Sequence, residues 1–275
     1  MRDYEATYAV NRRRWDEAAA IHAASEFYGV ERYKAGADAL GPIERAEIGE
    51  VAGKRLVHLQ CHFGLDTLSL ARRGAIVTGY DFSPSALAIA RKLATETGLE
   101  AEFVEGNLYD APAKLPRASF DIAYVTLGAI NWLPDIKGWA EVVASLLAPG
   151  GFLYLLEGHP AANMLDQRRI EDPIVPTYDY FQGAEPLVFT ESETYTEDGA
   201  KLANRVMHEW IHSLSSVIGG LLEAGLALEW FHEHDRLAWK LFACMTRAAD
   251  GMYDMPPGHP KLPLLYSLKA RQPKA

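Results

Sequence analysis

Asp81 closes an apolar run, Ala75–Tyr80, and the preceding apolar run, Leu56–Leu59, breaks at Gln60-Cys61-His62-Phe63-Gly64. A carboxylate at the end of a buried strand is placed to accept both hydroxyls of a ribose. After the break the pattern changes period. Leu65, Leu68 and Ala71 recur at helical spacing and Gly74 closes the segment as a helix C-terminal glycine does. A strand, a tight turn and a helix N-terminus offer free N–H groups, and a glycine lets a ligand approach the backbone. Gly64 and Asp81 together therefore point to a bound nucleoside. A pyrophosphate-binding G-x-G-x-x-G needs further glycines, and Gln60 and His62 stand where they would sit. A nucleoside without a pyrophosphate tolerates that. An ordinary βαβ unit whose turn binds nothing has the same pattern.

The elements that position these residues alternate. Ser83 and Pro84 read as N-cap and first residue of a helix that runs over Ala86–Thr97 and ends at Gly98. Strands follow at Ala101–Val104 and Phe120–Thr126. Pro134 opens a helix with a buried stripe of Ile136, Trp139, Ala140 and Val143, and Pro149-Gly150-Gly151 turns into a strand over Phe152–Leu156. Leu187–Thr196 and Asn204–His212 read as a hairpin joined by Glu197-Asp198-Gly199-Ala200-Lys201. Ser213–Glu223 is a helix ending in Ala224-Gly225, Leu228–Phe231 and Leu264–Leu268 supply two more strands, and Pro256-Pro257-Gly258 is a surface loop. The fold class is α/β: a Rossmann-like, doubly wound, mostly parallel seven-stranded sheet. In such sheets ligands sit at the carboxyl ends of the strands, where Gly64, Asp81, Asn107, Thr126 and Glu157 all fall.

Residues 1–50 read as helical, with Trp15, Ala18, Ala19 and His22 on one face, Arg12-Arg13-Arg14 solvated ahead of them, and Phe27, Tyr28 and Tyr33 after. The 275 residues divide as one domain: an N-terminal segment over 1–50, a core over 51–160, an insertion over 161–212 that includes a polar stretch Asp166–Glu171, and the end of the core over 213–275. Net charge of −10 argues against a nucleic-acid partner. No apolar run is long enough for a membrane and no signal peptide begins the sequence. Two cysteines, Cys61 and Cys244, make no disulfide framework, so a reducing cytoplasm is the expected compartment. His232-Glu233-His234 and His208-x-x-x-His212 invite a metal, but no Cys or carboxylate stands at zinc-ligand spacing around them, and no metal is expected. No G-x-S-x-G elbow or Walker loop is present.

The runs HLQCHFG, VTGYDFSPSALAIAR, GNLYDAP, SFDIAYVTLGAINWL and LLAPGGFLYLLE together resemble the class I S-adenosylmethionine-dependent methyltransferases of small-molecule type, over roughly residues 50–160. In that family the first motif is an acidic residue followed by three alternating glycines; here His58, Gln60 and His62 replace the acid and two glycines, and only Gly64 remains. The resemblance implies S-adenosylmethionine as cofactor, held by His58, Gln60, Gly64, Asp81, Phe82, Asn107, Leu108, Thr126 and Leu127. Asn107 would meet the adenine amine through its carbonyl oxygen and Leu108 the ring through its backbone N–H. The plain alternative for Asn107 is a turn asparagine. The Leu127–Trp132 loop falls where the family holds the methionine end and the pocket mouth, with Trp132 as a wall or buried against Trp139. The resemblance also implies that the 1–50 segment is a helical lid bringing Trp15, His22 or Tyr28 to the ligands, although plain packing is the favoured role for Trp15.

The expected reaction is methyl transfer to oxygen or nitrogen of a small-molecule acceptor, releasing S-adenosylhomocysteine, by a monomer or homodimer. A catalytically silent nucleoside-binding protein and a nicotinamide oxidoreductase remain as alternatives. The acceptor pocket is expected under the 161–212 insertion. Alternation places Val206, His208, Trp210 and His212 on one face of a strand, and Trp132, Tyr178, His208 and Trp210 are the expected acceptor-binding residues. His159 is the first choice for general base and His212 the second, because an unperturbed imidazole titrates at about 6.5. Capping and packing are the plain alternatives for these histidines.

Overall fold

A computed structural model describes residues 4–166, 174–196 and 199–274. Three helices precede the sheet: α1 (Glu5–Ala24), α2 (Val30–Lys34) and α3 (Pro42–Glu47). Strands and helices then alternate: β1 (Arg55–Leu59), α4 (Leu65–Arg72), β2 (Ile76–Asp81), α5 (Pro84–Thr97), β3 (Glu102–Glu105), α6 (Ala111–Lys114), β4 (Phe120–Thr126), α7 (Ile136–Leu146) and β5 (Leu147–Gly158). After α8 (Pro160–Asn163) come the short pair β6 (Leu187–Thr190) and β7 (Val206–Glu209). Then follow α9 (Leu214–Glu223), β8 (Ala227–His234), a small ribbon of β9 (Thr246–Arg247) and β10 (Tyr253–Asp254), and β11 (Leu265–Arg271).

The main sheet runs β3-β2-β1-β4-β5-β11-β8. Its first five strands are parallel, and β11 lies antiparallel to both β5 and β8. Strand order reverses between β1 and β4, so the crevice above their carboxyl ends is the topological switch point at which such sheets bind ligands. One face packs Val57, Leu59, Val125 and Leu155 against Trp139 of α7 and Val217 of α9. The other packs Leu56, Ile122, Tyr124, Tyr154 and Leu156 against Phe242 and Leu264. A third apolar cluster joins Cys61, Phe63, Leu68, Leu87 and Phe103 to Ala19 of α1.

Local signals hold where they are strongest. Ser83 Oγ accepts the Ala86 N–H at the start of α5, Pro84 follows it, and Gly98 ends the helix in the left-handed region. Four expectations are corrected. α7 begins at Ile136 with Asp135 as N-cap, not at Pro134, because the Asp135 carboxylate takes the Gly138 N–H. β5 extends back through Pro149-Gly150-Gly151, its register to β4 shifting there. The hairpin strands are shorter than expected and end at Thr190 and Glu209. Arg14 is not solvated but 6% exposed. Glu197 and Asp198 of the expected hairpin loop, and residues 167–171 of the expected polar stretch, lie outside the described residues.

Candidate functional site

The turn after β1 is built from left-handed backbone. Gln60, His62 and Gly64 have φ of 59°, 51° and 76°. Glycines adopt this region freely, whereas an ordinary L-residue is held there at about 1–2 kcal/mol. Gln60 and His62 therefore keep the conformation that glycines would supply and add side chains to it. Gln60 Nε2 donates to Ala129 O at 2.7 Å, while its Oε1 is buried with no partner. His62 Nε2 and His22 Nδ1 are 2.9 Å apart. Gly64 is required for packing as well: a Cβ there would stand 2.8 Å from the Phe103 ring and 2.9 Å from Ala90 Cβ.

Asp81 ends β2 at 6% exposure. Its carboxylate accepts the His62 and Ser83 N–H groups at 2.8 Å each. Burial pushes its carboxyl up to about 6, against the pull of these donors. Beside it a cleft of about 310 Å³ is lined by Phe82, Glu105, Gly106 and Asn107 from the strand ends and by Tyr8 and Arg12 from α1. Asn107 caps the turn over 108–110, its Oδ1 accepting the Tyr109 N–H at 3.2 Å, as a turn asparagine does, while Leu108 is buried behind it.

The loop after β4 hangs on one carboxylate. Glu157 accepts the N–H groups of Gly128, Ala129, Ile130 and Gly158 at 2.6–3.0 Å. Burial pushes Glu157 up while these four donors pull it down. Thr126 is buried, and Leu127 at φ 37° donates its N–H to Leu156 O. Trp132 does not pack on Trp139; its ring stands edge-on to Trp15 of α1, 5.2 Å between centroids. Trp15 in turn meets His62 and His22 edge-on.

Helix α1 lies across this site and is tied to the hairpin by polar groups to which the sequence reading gave no such role. The Asn11 side chain pairs with the His208 backbone in both directions, at 2.8 and 2.9 Å. The buried Arg14 guanidinium donates to the carbonyls of Glu191, Glu193, Asn204 and Arg205. The Glu17 carboxylate accepts the Ala203 and Asn204 N–H groups. On the opposite side Asp16 accepts the Ser83 hydroxyl at 2.6 Å. The only signal in the sequence was the helical spacing of Asn11 and Arg14 with Ala18. Tyr195 closes the top, its hydroxyl bonded to Tyr28 Oη and 3.5 Å from His22 Nδ1.

Several predicted residues fall elsewhere. His58 is 4% exposed beneath the turn, hydrogen-bonded to Thr67, edge-on to Tyr124 and held neutral by burial at about 3; it is a packing residue. The expected face of Val206, His208, Trp210 and His212 does not form, because strand pairing stops at Glu209. Val206 is exposed, His208 Nδ1 meets Thr7, and Trp210 is buried against Tyr4 with its N–H on Ala184 O. Tyr178 packs edge-on to Phe189.

His159 caps α8. Its Nδ1 accepts the Ala161 N–H at 3.1 Å, so the proton of the neutral ring sits on Nε2, 3.1 Å from Glu233 Oε1 though poorly aligned for a hydrogen bond. In this arrangement both ring nitrogens of the first choice of base are already engaged, Nδ1 by the Ala161 N–H and Nε2 toward Glu233. His212 donates through Nε2 to Leu133 O at 2.7 Å, which leaves a lone pair on Nδ1. His232 binds Glu47 and His234 binds Ser267; among the described residues no group of three or more His, Cys, Asp or Glu is arranged to hold a metal. Also among the described residues, no helix is long and apolar enough to cross a membrane.

Residues 57–153 match the methyltransferase domain family. The chain is 34% identical over 129 residues to the ubiquinone biosynthesis O-methyltransferase of Xanthomonas euvesicatoria pv. vesicatoria (strain 85-10), covering 45% of this chain and 53% of that one. It is 39% identical over 113 residues to the demethylmenaquinone methyltransferase of Thermus thermophilus, covering 40% and 50%. It thus spans about half the length of the curated relatives it matches. An S-adenosylmethionine-dependent methyltransferase from Mesorhizobium loti has the same fold, with a TM-score of 0.55, 23% identity, and coverage of 86% of this chain and 99% of that one. So does one from Clostridium acetobutylicum, with a TM-score of 0.58, 13% identity, and coverage of 94% and 99%.

Proposed function

Starting from a chain whose residues 57–153 match the methyltransferase domain family, we propose that the whole protein is a class I S-adenosylmethionine-dependent methyltransferase that methylates a small-molecule acceptor at nitrogen or oxygen and releases S-adenosylhomocysteine. The observation that carries this reading is the cleft between α1 and the ends of β2 and β3, lined by Phe82, the residue that follows the buried Asp81. Adenine is assigned to the cleft, against Phe82, with Asn107 Oδ1 and the Leu108 N–H as its polar partners. Asp81 takes the ribose hydroxyls. The buried, unpartnered Gln60 Oε1 fits the methionine ammonium, an acceptor where the family would place a glycine. Gly64 keeps the turn tight, and Thr126 and Leu127 border the methionine end from β4.

The bound cofactor supplies an activated methyl group. The chain's own residues bind, orient and exclude water. α1 and the hairpin, tied together through Asn11, Arg14 and Glu17, form the lid. Trp132, Trp15 and Tyr195 border the acceptor space. Of the two histidines first considered as base, His212 is the one kept in this reading, its ring held by the carbonyls of the 130–133 loop. The relatives' names, which concern ubiquinone biosynthesis and demethylmenaquinone, support a small acceptor.

Thermal-shift titrations with S-adenosylmethionine, S-adenosylhomocysteine and NAD, run separately, test the reading. Stabilisation by the two S-adenosyl compounds and none by NAD is expected. Stabilisation by NAD alone would return the fold to the oxidoreductases. A metabolite screen with a labelled methyl donor then separates an enzyme from a silent binder.

A further inference from the structure

His62 lies in the turn after β1, with its backbone N–H on the Asp81 carboxylate at 2.8 Å and its φ at 51°. An L-residue is held in that region at a cost, and residues so held cluster where chemistry is done. The ring's Nε2 is 2.9 Å from His22 Nδ1 of α1. Among the described residues its Nδ1 has no hydrogen-bond partner, yet it is not one of the enclosed side-chain atoms that lack one. The residue as a whole is half-buried. This ring nitrogen therefore stands open on the cofactor turn itself.

Aromatic rings surround it. Phe63 and Trp15 stand edge-on to the imidazole, 4.7 and 5.0 Å between centroids, and Trp15 meets Trp132 of the loop after β4. On the other side Tyr28 is 5.9 Å away and touches Phe27 and Tyr195. Phe27 and Tyr195 are 45% and 51% exposed. The ring cluster thus opens to solvent at one end and ends at the β4 loop at the other. A flat aromatic molecule fits such a path by edge-to-face contact. An ammonium would find no counter-charge there, because among the described residues no carboxylate bonds the His62 ring, and Asp81 meets only its backbone. Tyr28 and Tyr195 also face the histidine pair, and phenols stay protonated near neutral pH.

We propose that the methyl acceptor is an aromatic hydroxyl, that His62 is the base that takes its proton, and that His22 holds the His62 ring and shares that proton. This rests on the methyltransferase reading given above and places the base on the cofactor turn, whereas His212 is bonded to Leu133 O. In the tautomer required, His62 donates its Nε2 proton to His22 Nδ1 and keeps a lone pair on Nδ1. The acceptor's O–H gives its proton to His62 Nδ1. An oxygen lone pair forms the new O–C bond as the S–C bond breaks, and that electron pair stays on sulfur. The Nε2 proton moves across to His22 Nδ1, so the charge rests on one ring and never on both. The pair returns its proton to solvent as the methylated product leaves. A phenol titrates at about 10 and an ordinary imidazole at about 6.5, close enough for general-base transfer, whereas an aliphatic hydroxyl is a far weaker acid. Burial holds His62 below the usual imidazole range, which keeps its lone pair unprotonated near neutral pH.

The test is transfer of a labelled methyl group from S-adenosylmethionine, by the full chain, to para-cresol and to para-nitrophenol, the second of which is already ionised near neutral pH. The parent protein is expected to methylate both. His62→Gln is expected to lower kcat on para-cresol by about a hundredfold or more and on para-nitrophenol by less than about tenfold, because an ionised acceptor needs no base. His22→Gln leaves the turn's own residues in place and is expected to show the same selective loss, smaller in size. No transfer to either phenol by a parent protein that binds S-adenosylhomocysteine would overturn the assignment. Equal losses on the two phenols in His62→Gln would overturn it too, since a packing role acts on both alike. So would a loss confined to para-cresol in His212→Gln and absent from His62→Gln. Should His62→Gln not fold, His22→Gln decides, and equal losses or none there would overturn the pair. Failure of S-adenosylhomocysteine to bind the parent protein would overturn the methyltransferase reading, and this assignment with it.

Discussion

His22 of α1 and His62 of the turn after β1 meet ring to ring, Nδ1 to Nε2 at 2.9 Å. One nitrogen must donate and the other accept, so the two rings cannot both be charged in this contact. Burial and the neighbouring His22 hold His62 well below the usual imidazole range. The unfolded chain therefore binds more protons than the native one below about pH 6.5, and the contact loses stability as pH falls through that point. A melting temperature that drops on acidification from about pH 7 to 5, by a smaller margin in His62→Asn, is the expected result.

The same contact ties α1 to the turn after β1, whose His62 N–H binds the Asp81 carboxylate. Hydrogen exchange over residues 10–30 is expected to slow when S-adenosylhomocysteine binds. Equal protection with and without it would make α1 a fixed part of the scaffold rather than a lid.

Asp81→Ala is expected to weaken S-adenosylhomocysteine by a few kcal/mol, because two charge-assisted hydrogen bonds are lost at about 1.5–3 kcal/mol each. Since its carboxyl sits at about 6, affinity in the parent protein is also expected to fall as pH drops below that value. Calorimetry across that range measures both.

Arg14→Met removes the donor from four hairpin carbonyls at a site with 6% exposure. A loss of about 2–4 kcal/mol is expected in denaturant unfolding, with exchange speeding up first at residues 187–209. Arg14→Lys is not expected to rescue it, because an ammonium lacks the planar fork.

Glu157→Gln replaces a carboxylate that accepts four N–H groups with an amide that offers one oxygen and presents its own donors to the rest. About 2 kcal/mol of stability should go, together with protection of the 128–130 amides.

For Asp66 the sign is opposite to that of a salt-bridged carboxylate. Its native value of about 7 lies above the ordinary 3.8, so the native state binds more protons between those values and stability falls as pH rises through them. Melting curves of Asp66→Asn should lose that slope and lie above the parent at pH 8.

Composition and local pattern alone determined much of this molecule. Alternating strands and helices, the capping pair Ser83-Pro84, Gly98, and Asp81 at the end of β2 could be read directly, because each depends on residues within one or two turns of chain. What tertiary structure decided lies between segments distant in sequence. The buried stripe of α1 includes Asn11 and Arg14, so it carries little hydrophobic signal, and its partners are backbone groups some 180 to 200 residues away. The alternation that promised one face from Val206 to His212 failed because pairing with β6 ends at Glu209, and residues beyond a ladder no longer obey its period. Glu157 stood at a strand end like Asp81, but only the fold turned the 128–130 amides onto it. The tautomer of His159 was set by one backbone N–H. Residue type and spacing can nominate a group for chemistry; whether its lone pair is open depends on which distant donors the fold brings to it.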